Sequence, residues 1–166
     1  MIVQNLEDIY QITVHCSATK ESIYYDVEDI DRWHKARGFA KQPGSNKYCG
    51  YHFVVLLDGT IQAGRLLTEV GAHSIPNTNK IGICYIGGLD KDEQPKDTRT
   101  DAQKTSMHSL CKTLKVILPC LREIKGHRDN SKDLNNDGII DPFEWQKVCP
   151  CFEAIPEFSY LFENGN

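Results

Sequence analysis

Stretches of two-residue and of 3.6-residue hydrophobic period take turns along this chain, and that order limits the folds open to it. Tyr10, Ile12 and Val14 alternate with Gln11 and Thr13, so residues 9–16 read as a strand that delivers His15 at its end. Asp26 caps a helix over 27–37 in which Val27, Ile30 and Trp33 or His34 recur at helical spacing, with Gly38 ending it. Residues 51–57 and 60–65 flank Asp58-Gly59, a dipeptide that tolerates the positive φ of a tight primed turn, and form a hairpin. Lys80 to Ile86 is the next strand, stopped by Gly87-Gly88. Thr100 and Gln103 make a capping box ahead of Met107, Leu110, Cys111, Leu114, Ile117 and Leu118, a helix closed by Pro119. A strand from about Arg122 to Lys125 leads to Gly126-His127, and a short helix from about Pro156 ends the pattern. Mixing a hairpin with helical crossovers implies an α/β fold with a mixed central sheet flanked by helices.

The 166 residues suit one compact core and are taken as a single domain over 1–166. A formal net charge of -4, with lysines and arginines scattered, argues against nucleic acid or anionic lipid as a partner. No apolar stretch approaches the ~20 residues of a membrane span, and the first residues lack the regions of a signal peptide. The expectation is a monomer made in the cytoplasm without a signal peptide and without membrane insertion. Seven cysteines are an odd number, dispersed through the expected strands and helices, so reduced and partly buried thiols are expected rather than a disulfide framework.

An ordered series of short motifs adds chemistry to this frame: Val14-His15-Cys16-Ser17-Ala18-Thr19, Trp33-His34, Gly50-Tyr51-His52-Phe53, Asp58-Gly59-Thr60, Gly71-Ala72-His73, Gly126-His127-Arg128 and Lys147-Val148-Cys149-Pro150. Over about residues 9–155 the series resembles the zinc-dependent N-acetylmuramoyl-L-alanine amidases, the group that contains phage lysozyme-type amidases and peptidoglycan recognition proteins. The resemblance implies that His15, His127 and Cys149 bind zinc, that Tyr51 stands beside the reacting water and that Lys147 faces the scissile carbonyl. Two imidazoles and a thiolate leave zinc's fourth tetrahedral position free, as a catalytic site requires. Zinc there would bring the pKa of bound water from about 15.7 to about 7 and polarise the amide oxygen. A lysine two residues before a ligand is suited to the negative charge that builds on that oxygen. Cys151 competes with Cys149, since Cys-Pro-Cys puts two thiols within reach of one metal; the family motif points to Cys149. His73 follows the family's Gly-x-His pattern and is placed along the substrate groove. Alternation sets His52 opposite Tyr51, as a packed imidazole. His34 and His108 fall in helices, as structural or exposed residues.

A second metal pattern lies inside the first. Asp133, Asn135, Asp137, Ile139, Asp141 and Glu144, with Gly138 at the sharp turn, fit the D-x-[DN]-x-[DN]-G-x5-E calcium loop. No helix is expected to enter it, so the reading is one isolated structural calcium loop in an insertion at about 129–146, tying down the segment between His127 and Cys149.

The function implied is zinc-dependent hydrolysis of the amide between N-acetylmuramic acid and L-alanine in bacterial peptidoglycan, at the cell wall after release or non-classical export. The alternative is a non-catalytic peptidoglycan-binding module, the state of relatives that lack the sulfur ligand or the tyrosine; both residues are present here. A third reading, a calcium-responsive interaction protein built on residues 133–144, lacks the flanking helices of a switch.

Overall fold

The computed structural model describes residues 3–163. Its strands are β1 (Gln11–Cys16), β2 (Thr19–Lys20), β3 (Phe53–Val55), β4 (Ile61–Ala63), β5 (Lys80–Tyr85), β6 (Gly88–Leu89) and β7 (Glu123–Gly126). Five of them form the main sheet in the order β4-β3-β5-β1-β7. β1 is parallel to β5 and β7, β3 is parallel to β5, and the hairpin partners β3 and β4 are antiparallel. The sheet is therefore mixed, as the order of periodicities requires. β2 and β6 pair as a separate two-stranded parallel ribbon, too short to leave a periodic signal.

The helices are α1 (Val27–Ala36), α2 (Asp101–Ile117) and α3 (Ala154–Phe158). Their starts are chemically specified. The Asp26 carboxylate accepts from the amides of Glu28 and Asp29 while Asp29 accepts from the Asp26 amide, and Thr100 with Gln103 repeats the exchange on α2. Gly38, with φ +81°, takes the left-handed turn beyond α1.

Side-chain alternation divides the sheet into two faces. Ile12, Val14 and Cys16 of β1 join Ile81, Ile83 and Tyr85 of β5 against Met107, Leu110 and Leu114 of α2 and Phe158 of α3. On the other face α1 sets Val27 and Ile30 against Val54, Leu56 and Ile86, beside the β3 side of the sheet. Every residue of β1 is buried, so its polar positions mark a second covered face rather than a wet one. Gln11 meets the cost of burial by donating from Nε2 to Thr13 Oγ1 at 2.8 Å and Asn130 Oδ1 at 3.0 Å. His15 lines a cleft on this face, with His34 of α1 on its wall as well. No helix among the described residues is long and apolar enough to cross a membrane.

Candidate metal centre

Three segments meet at the end of β1. His15 is its penultimate residue and is 1% exposed. In the neighbouring strand β7, Gly126 pairs with Val14, and His127 follows with its amide donating to the Val14 carbonyl at 3.0 Å. A Cβ on Gly126 would run into the ring of Pro150, so glycine here lets the segment that carries Cys149 close onto the strand. The Cys149 carbonyl accepts from the Arg128 amide at 2.8 Å, and its Sγ accepts from the Cys16 amide at 3.2 Å. Among the described residues, His15, His127 and Cys149 are the one group of three metal-ligand side chains whose donor atoms lie within 4.8 Å of one another.

His15 is also fixed from behind. Its Nε2 lies 3.0 Å from Nδ1 of His73. A metal bond at His15 Nδ1 requires the ring proton on Nε2, and that proton is then donated to His73. His73 is buried, and the ring fits because Gly71 and Gly82 lack side chains: a Cβ on either would overlap the imidazole. The Asn77 side chain accepts from the amides of His73 and Ser74 at 2.7 and 2.9 Å, which sets the turn that presents the ring. His73 Nε2 has no hydrogen-bond partner among the described residues. His52 is packed beside it, accepting from the Gly82 amide at Nδ1 and donating from Nε2 to the Glu69 carbonyl. Tyr51 and His52 precede the regular strand and both rings approach His73, so simple alternation does not separate them.

These surroundings favour neutral rings. Burial holds His15 and His73 well below the ordinary histidine range, with His73 and His127 adding to the effect on His15, and His52 and His127 to that on His73. Burial, assisted by Lys147 and Lys80, brings His127 down to about 4. Neutral imidazoles are the form that donates to a metal. The Tyr51 ring is 5.1 Å from that of His15, and burial pushes its hydroxyl well above the usual tyrosine range. Tyr51, Lys147 and His73 line the same cleft of about 570 Å³ as His15, His127 and Cys149, with Lys147 exposed at its rim. His34 belongs here too. Its Nδ1 accepts from the Gly50 amide at 2.8 Å while its ring stacks on Phe39 and lines the cleft. Its place in the apolar stripe of α1 was the available signal for burial, and nothing local signalled the cleft.

The calcium expectation receives no support. Asp133 accepts from the amides of Asn136 and Gly138, Asn135 from Asp137, and Asp137 from Ile139. Glu144 is 4% exposed and accepts from the amides of Leu134, Asn135 and Asp141. These oxygens are turned to the loop's own main chain, and Asp133, Asp137, Asp141 and Glu144 yield no group of three gathered donors. The segment is held instead by Arg128, whose guanidinium lies 4.0 Å over the Trp145 ring and pairs with Glu153.

Two nitrogens and one sulfur of this kind suit a borderline-soft, four-coordinate ion such as zinc and leave a corner unfilled. Such a donor set at the wall of an open cleft has the makeup of a metal-assisted hydrolase. The chain belongs to the N-acetylmuramoyl-L-alanine amidase family, whose model matches residues 5–151. It is 39% identical over 111 residues to the endolysin of Klebsiella phage KP32, covering 66% of this chain and 69% of that protein. With the endolysin of Enterobacteria phage K11 it shares 33% identity over 148 residues, 89% of this chain and 83% of the relative. The solved structure of the N-acetylmuramoyl-L-alanine amidase LysC from Clostridium intestinale URNW superposes with a TM-score of 0.65 at 25% identity, covering 97% of this chain and 87% of that one.

Proposed function

We propose that the protein hydrolyses the amide joining the lactyl group of N-acetylmuramic acid to the L-alanine of the peptidoglycan stem, with one zinc ion held by His15, His127 and Cys149. The observation that carries this reading is the convergence of those three donors in a cleft that also presents Tyr51 and Lys147. The endolysin relatives support action on the cell wall, reached after release or non-classical export.

When bound, zinc supplies a Lewis acid that polarises a carbonyl and acidifies water. The protein's own groups do the rest. As water adds to the amide carbon, negative charge gathers on the former carbonyl oxygen, and the Lys147 ammonium at the rim meets it with a charge-assisted hydrogen bond. Tyr51, whose hydroxyl burial keeps protonated, orients the water through Oη. His73 acts through His15, fixing its tautomer and ring plane rather than touching substrate. The C–N bond breaks with proton transfer to the alanine nitrogen, giving a free lactyl carboxylate and a peptide amine. A binding module without hydrolysis would not need the sulfur and the tyrosine together, and both line the cleft.

The test is metal analysis of the purified chain with mass spectrometry of digested peptidoglycan. Stoichiometric zinc with free lactyl carboxylates and peptides starting at L-alanine is the expected result. New reducing sugar ends, cuts within the stem, or binding without products would overturn it.

A further inference from the structure

Cys16 and Cys151 are 135 positions apart in the chain, yet their Sγ atoms lie 3.9 Å from one another. Neither sulfur belongs to the proposed donor set or takes part in the proposed reaction. Cys16 follows His15 on β1 and so points to the opposite face, into the core beneath the cleft. Cys151 is two residues beyond Cys149 and partly exposed. Room for both sulfurs comes from Gly88: a Cβ there would stand 2.5 Å from Cys16 Sγ, and the Gly88 carbonyl is 3.4 Å from Cys151 Sγ.

We propose that Cys16 and Cys151 form a disulfide when the protein passes from a reducing to an oxidising thiol–disulfide environment, tying the His15 strand to the Cys149 segment from below. The sulfurs stand at van der Waals contact, and bonding at about 2.05 Å asks only for side-chain rotation and a small local shift. The oxidant is a small disulfide such as oxidised glutathione. The partly exposed Cys151 sulfur, having released its proton, attacks it, forming a mixed disulfide and expelling one glutathione thiolate. Cys16 loses its proton and displaces the second. Two cysteine thiols are thereby oxidised by two electrons, and one glutathione disulfide is reduced to two thiols. Thiols in the cytosol and a bond at the cell wall match the two redox compartments. A link across so long a loop restricts the unfolded chain strongly.

The experiment incubates the zinc-loaded full chain with oxidised glutathione at neutral pH without denaturant, alkylates remaining thiols and maps peptides without reductant. Expected is one linked pair joining the Cys16 and Cys151 peptides, with Cys149 recovered as a free thiol. The oxidised protein should melt about 5 °C or more above the reduced one. Cys151→Ser, at a partly exposed position, should keep the reduced protein's melting temperature and lose both the link and the rise; Cys16→Ser should also lose the link. Alkylation of both cysteines after oxidation, arrest at the glutathione adduct, or a bond that includes Cys149 would each overturn the proposal. Because the readout is a peptide mass, failure of the amidase reading would leave this result standing, and the reverse.

Discussion

The cleft at the end of β1 and the loop at 133–144 both carry metal-ligand residue types at suggestive spacing, and the structure uses them in opposite ways. In the cleft, donors come from three separate segments and their ligand atoms lie within 4.8 Å of one another. In the loop, donors come from one stretch of chain, and main-chain amides engage their oxygens. Local spacing describes what a turn can do. Convergence enforced by a sheet describes what the protein has paid to assemble, since a fully buried His15 ring held beside the half-buried His127 and Cys149 is costly unless something uses it.

Cys149→Ala strikes at the heart of that contrast: zinc content and hydrolysis should both fall below detection while peptidoglycan binding persists. Retained hydrolysis would shift the sulfur ligand to Cys151 or remove the metal from the reaction. Lys147→Met should lower kcat by ~10²–10³-fold with zinc content unchanged, as loss of one oxyanion partner does; a matching loss of zinc would make Lys147 structural. For His73→Leu, competition with a chelator should show zinc affinity weakened by ~10–100-fold, the usual range for a partner behind a ligand. Unchanged affinity would reduce the His15 contact to packing.

Acid should also reach the cleft side first. Burial holds His34, His52 and His127 at about 4 in the folded protein against 6.5 when free. The unfolded chain therefore binds protons that the folded one refuses, and the stability these rings contribute is complete above pH 6.5 and is lost as pH falls toward 4. Melting of the metal-free protein should be level above pH 6.5 and decline progressively below it; a level profile down to pH 4 would mean the rings are not buried neutral. The loop gives the smallest effects. Glu144→Ala should cost about 1–2 kcal/mol through three amides left without their acceptor. Excess calcium should move the melting temperature by less than about 1 °C, since a cation stabilises only what it binds. A clear rise would restore the cation to the loop.

Much of this was legible in the residues. The caps at Asp26 and Thr100, the hairpin and the mixed sheet follow from local chemistry, because these residues and Asp58-Gly59 act over three or four positions. The return bond from Asp29 was not foreseen, and the hairpin closes through a longer loop at 56–60 with positive φ at Gly59 but not at Asp58, in place of the tight primed turn expected. The elements at the cleft follow from the motif series, which spans the long distances that periodicity cannot. What stayed hidden depended on third dimensions: His73 reaches His15 only because Gly71 and Gly82 clear a path, and Cys16 meets Cys151 only once β7 and the Pro150 segment have docked. The calcium pattern was legible and misleading, since the spacing of oxygens does not reveal whether nearby amides have already engaged them.

The sulfur of the cleft arrives late. A ribosome has to deliver residue 149 before any donor set can close around His15, so an interrupted copy owns two imidazoles and no third arm. Any copy cut between residues 127 and 149 would keep both imidazoles and lose the one donor that distinguishes this cleft from a plain pair of histidines.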